Sequence, residues 1–104
     1  MAVKSLGAPS TLTVRTVFSF ANQILAEIAD SGSLELDLSE CEELDLAALQ
    51  VISAARTHAF DMGKTLTLSH PARGTLRSVL DRAGFTTDLS PADVDFWFHG
   101  EDPK

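Results

Sequence analysis

Apolar residues recur at spacings of three and four in the first third of the chain. They follow Thr13, whose hydroxyl suits a helix N-cap, and they stop before Gly32. This period is typical of an α-helix with one apolar face. The residues on that face are Val17, Phe18, Ala21, Ile24, Leu25 and Ile28. The pattern predicts a helix over about residues 14–30 that ends at the glycine.

Two later segments alternate between apolar and polar residues instead. The first has leucine at every second position from Leu34 to Leu38, and the second covers residues 65–69. A period of two predicts β-strands with one buried face and one solvated face. Residues 2–13 contain short apolar pieces around a Gly-Ala-Pro turn, and they predict one or two short strands near an edge.

The helical period returns after each of these two strands. It predicts a second helix over about residues 46–60 and a third over about residues 72–83, each followed by a glycine. Asp45 comes directly before the second helix, where its carboxylate can cap the first amides and favour the positive end of the helix dipole.

A short fourth helix is predicted near the end of the chain. Ser90-Pro91-Ala92-Asp93 combines a hydroxyl cap, a proline in the first turn and an acid three residues after the cap. The helix then carries three consecutive aromatic residues, which we call the aromatic triplet: Phe96, Trp97 and Phe98. Either this triplet is clamped over the core, or it forms an exposed apolar patch through which the protein makes a homodimer.

Strands that alternate with helices predict a single α/β domain over residues 1–104, with crossover connections and a parallel or mixed sheet. The sheets of doubly wound proteins are covered on both faces, so their strands are continuously apolar. Because the strands here alternate, we expect one solvated sheet face and helices mainly on the other.

Charge narrows the classes of partner. The formal net charge is -7 and the pI about 4.7, which opposes nucleic acid as a partner and docking on an anionic membrane. One stretch of the chain carries acidic residues with no basic residue between them, and we call it the acidic run. Its acidic residues are Glu35, Asp37, Glu40, Glu42, Glu43 and Asp45. Basic residues follow it from Arg56 onward. The two groups form either two solvated faces or a polarised surface that steers a partner.

Candidate catalytic chemistry is sparse, and we predict that the protein is not an enzyme and has no metal or other cofactor. The glycines are scattered, so no phosphate-binding loop is indicated, and His58, His70 and His99 lack metal-ligand spacing. The single thiol, Cys41, excludes an internal disulfide and indicates a reducing compartment. No signal peptide is indicated and no stretch approaches the roughly 20 apolar residues of a spanning helix, so a cytoplasmic protein without membrane insertion is expected.

One loop-to-helix junction is a candidate binding site because of its position in the predicted fold. The loop after the strand at Leu34 leads through Asp45 into a helix that starts Leu-Ala-Ala. Small residues at an exposed helix start let another protein approach closely, and the first amides of a helix lack partners. On spacing alone an ordinary loop-to-helix junction is the other interpretation.

Three segments resemble the STAS family, whose members include anti-sigma-factor antagonists. Residues 34–45, followed by Leu-Ala-Ala-Leu, resemble the signature in which a hydrophobic strand, an Asp and a short loop precede a second Asp that opens a helix. Residues 63–71 resemble the family's next strand and turn, and residues 77–85 its following helix. The resemblance covers roughly residues 11–87 and implies a STAS-like, mixed four- to five-stranded sheet. It also implies a regulatory protein that binds other proteins.

The sequence departs from the family at the position after Asp45. Antagonists of anti-sigma factors carry a phosphoacceptor serine there, and this protein has Leu46, so the resemblance implies a contact surface without the usual switch unless Ser39 or Ser53 substitutes. The residues expected to bind a partner are Ser39, Asp45, Leu46, Ala47, Ala48, Leu49 and Pro71. The partner classes implied are an anti-sigma kinase, an ABC ATPase and a chemotaxis component, since the family includes STAS subunits of lipid-asymmetry ABC transporters and chemotaxis-associated proteins.

An alternative function is a nucleotide- or lipid-sensing accessory subunit of an ABC transporter or chemotaxis complex. The N-termini of the two helices that follow Asp45 and Pro71 would then face an anionic ligand. The acidic run beside Asp45 opposes this alternative.

Overall fold

The computed structural model describes residues 4–87 and 89–100. Its strands and helices alternate as the patterns predict. In sequence order they are β1 Lys4–Gly7, β2 Thr11–Leu12, α1 Val17–Asp30, β3 Ser33–Asp37, β4 Glu43–Leu44, α2 Leu46–Asp61, β5 Thr65–Leu68, α3 Gly74–Arg82 and α4 Pro91–Phe98. The first predicted strand begins at residues 2 and 3, which lie outside the described residues.

The expectation of one mixed sheet with four to five strands is wrong. The described residues form a three-stranded sheet of order β1-β3-β5 and a separate two-stranded sheet of β2 and β4, and every pair is parallel. Both sheets are formed by the same two stretches of polypeptide, residues 4–12 and 33–44. Pro9 has no N–H to continue the ladder, and pairing resumes where Ser10 C=O accepts from Glu42 N–H at 2.8 Å. One ladder is therefore interrupted between Gly7 and Thr11 and continues as a second one.

The alternation predicted for β3 and β5 is confirmed. Leu34 and Leu36 are completely buried and Leu66 and Leu68 nearly so, while the residues between them are half-buried or exposed. Helices α1 and α2 pack against each other, α1 contacts β3 and α2 contacts β5. The parallel register aligns the leucines of neighbouring strands, with Leu34 opposite Leu66. The main core thus lies between the leucine face of the sheet and these two helices.

The aromatic triplet belongs to the core. Phe96, Trp97 and Phe98 are 7%, 2% and 3% exposed. The ring of Trp97 meets that of Phe85 edge to face at 6.2 Å, and the Arg56 guanidinium lies 5.0 Å from the centre of the Phe96 ring. The triplet is clamped over the core, as one of the two hypotheses held, and it forms no exposed patch on which a homodimer could be built.

Backbone and imidazole contacts hold α4 in this position. Ala72 N–H donates to Trp97 C=O at 2.7 Å, and the imidazole Nε2 of His99 lies 2.8 Å from Leu68 C=O. The predicted cap is present, since Ser90 Oγ accepts from Asp93 N–H and the Asp93 carboxylate accepts from Ser90 N–H. These contacts join α4 to the end of β5 and to the connection that follows it.

No helix among residues 4–87 and 89–100 is both long enough and apolar enough to cross a membrane.

Candidate functional site

Asp45 connects the starts of the two main helices. It is the N-cap of α2, and its Oδ1 accepts a hydrogen bond from Ala48 N–H at 3.2 Å. Its other oxygen, Oδ2, accepts from Val14 N–H at 3.1 Å, in the turn that leads into α1. The capping role predicted for Asp45 is confirmed, and the second hydrogen bond gives one carboxylate control over the relative position of both helix starts.

Three exposed apolar side chains surround this connection. Val14, Phe18 and Leu46 are 61%, 69% and 48% exposed, and we call them the contact surface. Val14 lies in the turn before α1, where Thr16 N–H and Val17 N–H both donate to Thr13 C=O, and Phe18 lies in the first turn of α1, four residues later. Leu46 is the first residue of α2, next to Asp45. Large apolar side chains grouped in this way typically mark a protein-interaction site.

The sequence-based prediction missed part of this surface. It placed Phe18 and Leu25 on the buried face of the first helix, but they are 69% and 46% exposed, and the fully buried positions are Val17, Phe20, Ile24 and Ile28. The spacing of the buried set is three and four residues, so the additional apolar residues broaden the stripe beyond what the core covers. The excess width of the apolar stripe was the sequence signal that could have indicated exposed apolar residues on this helix.

The predicted binding residues after Leu46 lie at different depths. Ala47 is half-buried, while Ala48 and Leu49 are 0% exposed and belong to the core. A docking protein would therefore meet Leu46 and the edge of Ala47. Ala48 and Leu49 support these residues from beneath.

Ser39 and Pro71, which were also predicted to bind a partner, lie on a separate surface. They line a cavity of about 640 Å³ at the start of α3 that includes Glu42 and Arg73 and none of residues 45–49. Ser39 N–H donates to Asp37 Oδ1 at 2.9 Å, and hydrogen bonds from Ser39 hold the pKa of Asp37 below its usual range. The carboxylate of Glu42 beside Arg73 gives this cavity mixed charge, which does not favour an anionic ligand.

The remaining chemical candidates offer no assembled centre. Cys41 is half-buried, and burial raises the pKa of its thiol, which keeps it protonated and weakly nucleophilic. Within the described part of the protein, no group of three or more His, Cys, Asp or Glu residues is arranged to hold a metal ion.

Part of the acidic run lies in the β3–α2 connection, which leads to Asp45. Glu40, Glu42 and Glu43 are exposed, and among the described residues none of them takes part in an ion pair. Unpaired surface carboxylates produce a negative potential that attracts basic groups and slows acidic ones. The β3–α2 connection, which precedes Leu46 in the chain, thus carries exposed negative charge.

Comparison with known proteins supports one family. A family model described as "Mlab, STAS domain" matches residues 4–91. Searches of curated proteins and of solved structures found no significant match. The matched range runs from β1 to the first residue of α4 and includes Asp45 and the whole contact surface. STAS domains generally have a regulatory or protein-interaction role, and this protein belongs to the STAS domain family.

Proposed function

We propose that this STAS domain is a non-enzymatic regulatory module that binds another protein through the contact surface of Val14, Phe18 and Leu46. The observation that carries the proposal is the exposure of these three side chains, 61%, 69% and 48%, around a single capping carboxylate. Exposed apolar groups at one place cost solubility unless a partner covers them. Family membership supports the same general role.

The contact surface is held in place before a partner arrives. Asp45 accepts from both Val14 N–H and Ala48 N–H, and its own N–H donates to Leu12 C=O at 3.2 Å. These bonds fix the two helix starts relative to the short strand β2. Less conformational entropy is then lost on binding, which strengthens association.

Docking at this surface is not controlled by phosphorylation of residue 46. Leu46 is half-exposed at the first position of α2, where the resemblance to anti-sigma-factor antagonists places a phosphoacceptor serine. Leucine has no hydroxyl to accept a phosphoryl group. The module therefore lacks the usual phosphorylation switch at this position.

The partner would be an anti-sigma kinase, an ABC ATPase or a chemotaxis component, with a surface that complements this one. Glu43, which is exposed and lies two residues before Asp45, favours basic groups around an apolar centre on the partner. Candidates of each class encoded near the gene for this protein can be purified and tested individually.

The test is a titration of each purified candidate with the wild-type protein and with Leu46→Asp and Phe18→Asp. We expect both substitutions to weaken binding of the true partner by roughly tenfold or more, because a charge would be buried in the apolar centre of the interface. The matched control is Phe60→Asp, which changes another exposed phenylalanine, 81% exposed in the last part of α2. Its affinity should equal that of the wild type.

Leu46→Asp also separates binding from folding. The first turn of α2 contains no acidic residue, so an aspartate there interacts favourably with the helix dipole and should raise the free energy of unfolding by about 0.3–1 kcal/mol. A variant that is at least as stable as the wild type and binds poorly identifies the interface. A partner that binds both charged variants as tightly as the wild type would show that the contact surface is not the interface.

A further inference from the structure

The cavity beside α3 lies at the carboxyl ends of two strands. Leu38 and Ser39 follow β3, and His70 and Pro71 follow β5. β3 and β5 are parallel neighbours, so the loops that follow them lie at the same edge of the sheet. Open α/β sheets bind their ligands outside this edge. The position of the cavity is therefore typical of a ligand site.

Much of the cavity lining is apolar. Three leucines that line it, Leu44, Leu68 and Leu76, are almost completely buried, and the imidazole of His70 adds a hydrogen-bonding group. The volume of about 640 Å³ falls within the roughly 300–1,000 Å³ of small-molecule sites. Such sites combine an apolar lining with a few polar groups that orient the ligand. The cavity can thus enclose an apolar group of a small molecule.

Two opposite charges line the same cavity without forming an ion pair. Glu42 and Arg73 are both exposed, and within residues 4–87 and 89–100 neither of them takes part in an ion pair. They are close in the fold, because the Thr75 hydroxyl donates to Glu42 C=O at 3.4 Å and Arg73 is the N-cap residue of the same helix. One carboxylate and one guanidinium are therefore within reach of the same small molecule.

We propose that this cavity binds a small zwitterion with an apolar body, which is a free apolar amino acid or a short apolar peptide. The ammonium of the ligand binds the Glu42 carboxylate, and its carboxylate binds the Arg73 guanidinium. Its apolar body packs on Leu68 and Leu76. This site is separate from the contact surface, and the proposal does not depend on it.

The mixed charge of the cavity disfavours other classes of ligand. An anion would be attracted by Arg73 and repelled by Glu42, and a cation would experience the reverse. An uncharged apolar molecule would take water away from both charges and pair with neither. A ligand that carries both charges satisfies both side chains.

The experiment is isothermal titration calorimetry of the intact protein with two series of probes. The first series is the apolar amino acids, including leucine and phenylalanine, and the second is the dipeptides made from them. We expect at least one probe to bind saturably at one site per protein. The series that binds more tightly shows whether the ligand is an amino acid or a peptide.

Substitutions test the two charged contacts. Glu42→Gln and Arg73→Gln should each weaken binding of the best probe by about fivefold to tenfold, because each removes one charge-assisted hydrogen bond. The matched controls are Glu40→Gln, at an exposed acid of the same connection, and Arg82→Gln, in the last turn of α3. Neither Glu40 nor Arg82 lines the cavity, so both controls should bind the probe as the wild type does.

Chemical changes to the probe test the same contacts from the ligand's side. N-acetylation removes the ammonium charge of the probe and amidation removes its carboxylate charge, and each should weaken binding to the wild type. The acetylated probe should no longer respond to Glu42→Gln, and the amidated probe should no longer respond to Arg73→Gln. This coupling assigns each end of the ligand to one side chain.

Three outcomes would overturn the proposal. The first is that no probe of either series binds at millimolar concentration. The second is tighter binding after Glu42→Gln or after Arg73→Gln, because the ligand would then be a simple anion or a simple cation. The third is that Glu40→Gln or Arg82→Gln weakens binding as much as the cavity variants do, because the probe would then bind elsewhere or respond only to net charge.

Discussion

Two apolar regions of this domain have opposite environments. The aromatic triplet on α4 is almost completely buried, with its members 7%, 2% and 3% exposed. The contact surface of Val14, Phe18 and Leu46 is equally apolar but 61%, 69% and 48% exposed. For the three consecutive aromatics the sequence left both a clamp over the core and an exposed patch open, whereas it placed Phe18 on the buried face of a regular helix. The structure buries the triplet and exposes Phe18.

This difference shows that the elements packed against a helix decide which of its apolar residues are buried and which stay exposed. α4 is held against the end of β5 through His99 and contacts Phe85 and Arg56 from other elements, so it is enclosed on several sides. α1 packs mainly on β3 and α2, so its core covers a narrow stripe. Apolar residues outside that stripe remain at the surface and are available for a partner.

Truncation of one residue from each region is the strongest way to break this comparison. Trp97→Ala should lower the free energy of unfolding by about 3–5 kcal/mol, because it leaves a large cavity in a packed core. Phe18→Ala should change it by less than about 0.5 kcal/mol, because the side chain is mostly solvated. Urea unfolding followed by circular dichroism measures both.

The conservative variant Trp97→Phe serves as a control, since it keeps most of the ring volume and should cost much less than alanine. Equal losses for Trp97→Ala and Phe18→Ala would mean that the two regions do not differ in packing. The contrast on which the contact surface rests would then disappear.

Removal of the carboxylate that organises the contact surface should have an intermediate effect. Asp45→Ala loses the cap of α2 and the acceptor for Val14 N–H, and we expect a loss of about 1–2 kcal/mol in the free energy of unfolding. Asp45→Asn retains one side-chain oxygen and should lose less. Hydrogen exchange should show faster opening at the Val14 and Ala48 amides in the alanine variant. If Asp45→Ala is as stable as the wild type, Asp45 does not hold the two helix starts together.

The smallest effect is a pH dependence at the edge of the aromatic triplet. Burial acts to raise the pKa of Asp93, but hydrogen bonds from Arg56 and Ser90 outweigh it and hold the pKa below its usual range. A carboxyl group with a lowered folded-state pKa stabilises the fold above its unfolded pKa of about 3.9, and this stabilisation is lost as the pH falls through the lower folded value. The wild type should therefore lose more stability below about pH 4 than Asp93→Asn does.

The difference should stay below about 1 kcal/mol, because the ion pair of Arg56 and Asp93 is partly exposed to solvent. Asp95→Asn removes an exposed carboxylate from the same helix without removing the ion pair to Arg56, and it is the control variant. Urea unfolding at a series of pH values measures all three proteins. Superimposable profiles for the wild type and Asp93→Asn would show that this ion pair does not help to hold α4.

Much of the secondary structure follows from the sequence pattern. The four helices lie within a few residues of their predicted ranges, and Asp45 and Ser90 cap α2 and α4 as expected. The division of the sheet was not predictable in the same way. Periodicity identifies strands but not their neighbours, so it does not show that pairing stops after Gly7 and resumes at Thr11 as a separate sheet.

The candidate site was predicted in part. Sequence pattern and family resemblance identified Asp45 and Leu46, which lie at the centre of the proposed interface. They also named Ser39 and Pro71, which the fold places on a different cavity. Val14 and Phe18 were missed because the hydrogen bond between Val14 and Asp45 that joins them to the start of α2 links residues far apart in the sequence.

The sequence by itself determined the local features of this protein: where helices and strands form, which residues cap them, and that position 46 cannot be phosphorylated. These depend on neighbouring residues and on the period of the backbone. Only the tertiary structure decided which apolar residues are covered and how the strands pair. Burial at Trp97, exposure at Phe18 and the pairing of β2 with β4 all depend on elements that are distant in sequence and adjacent in space.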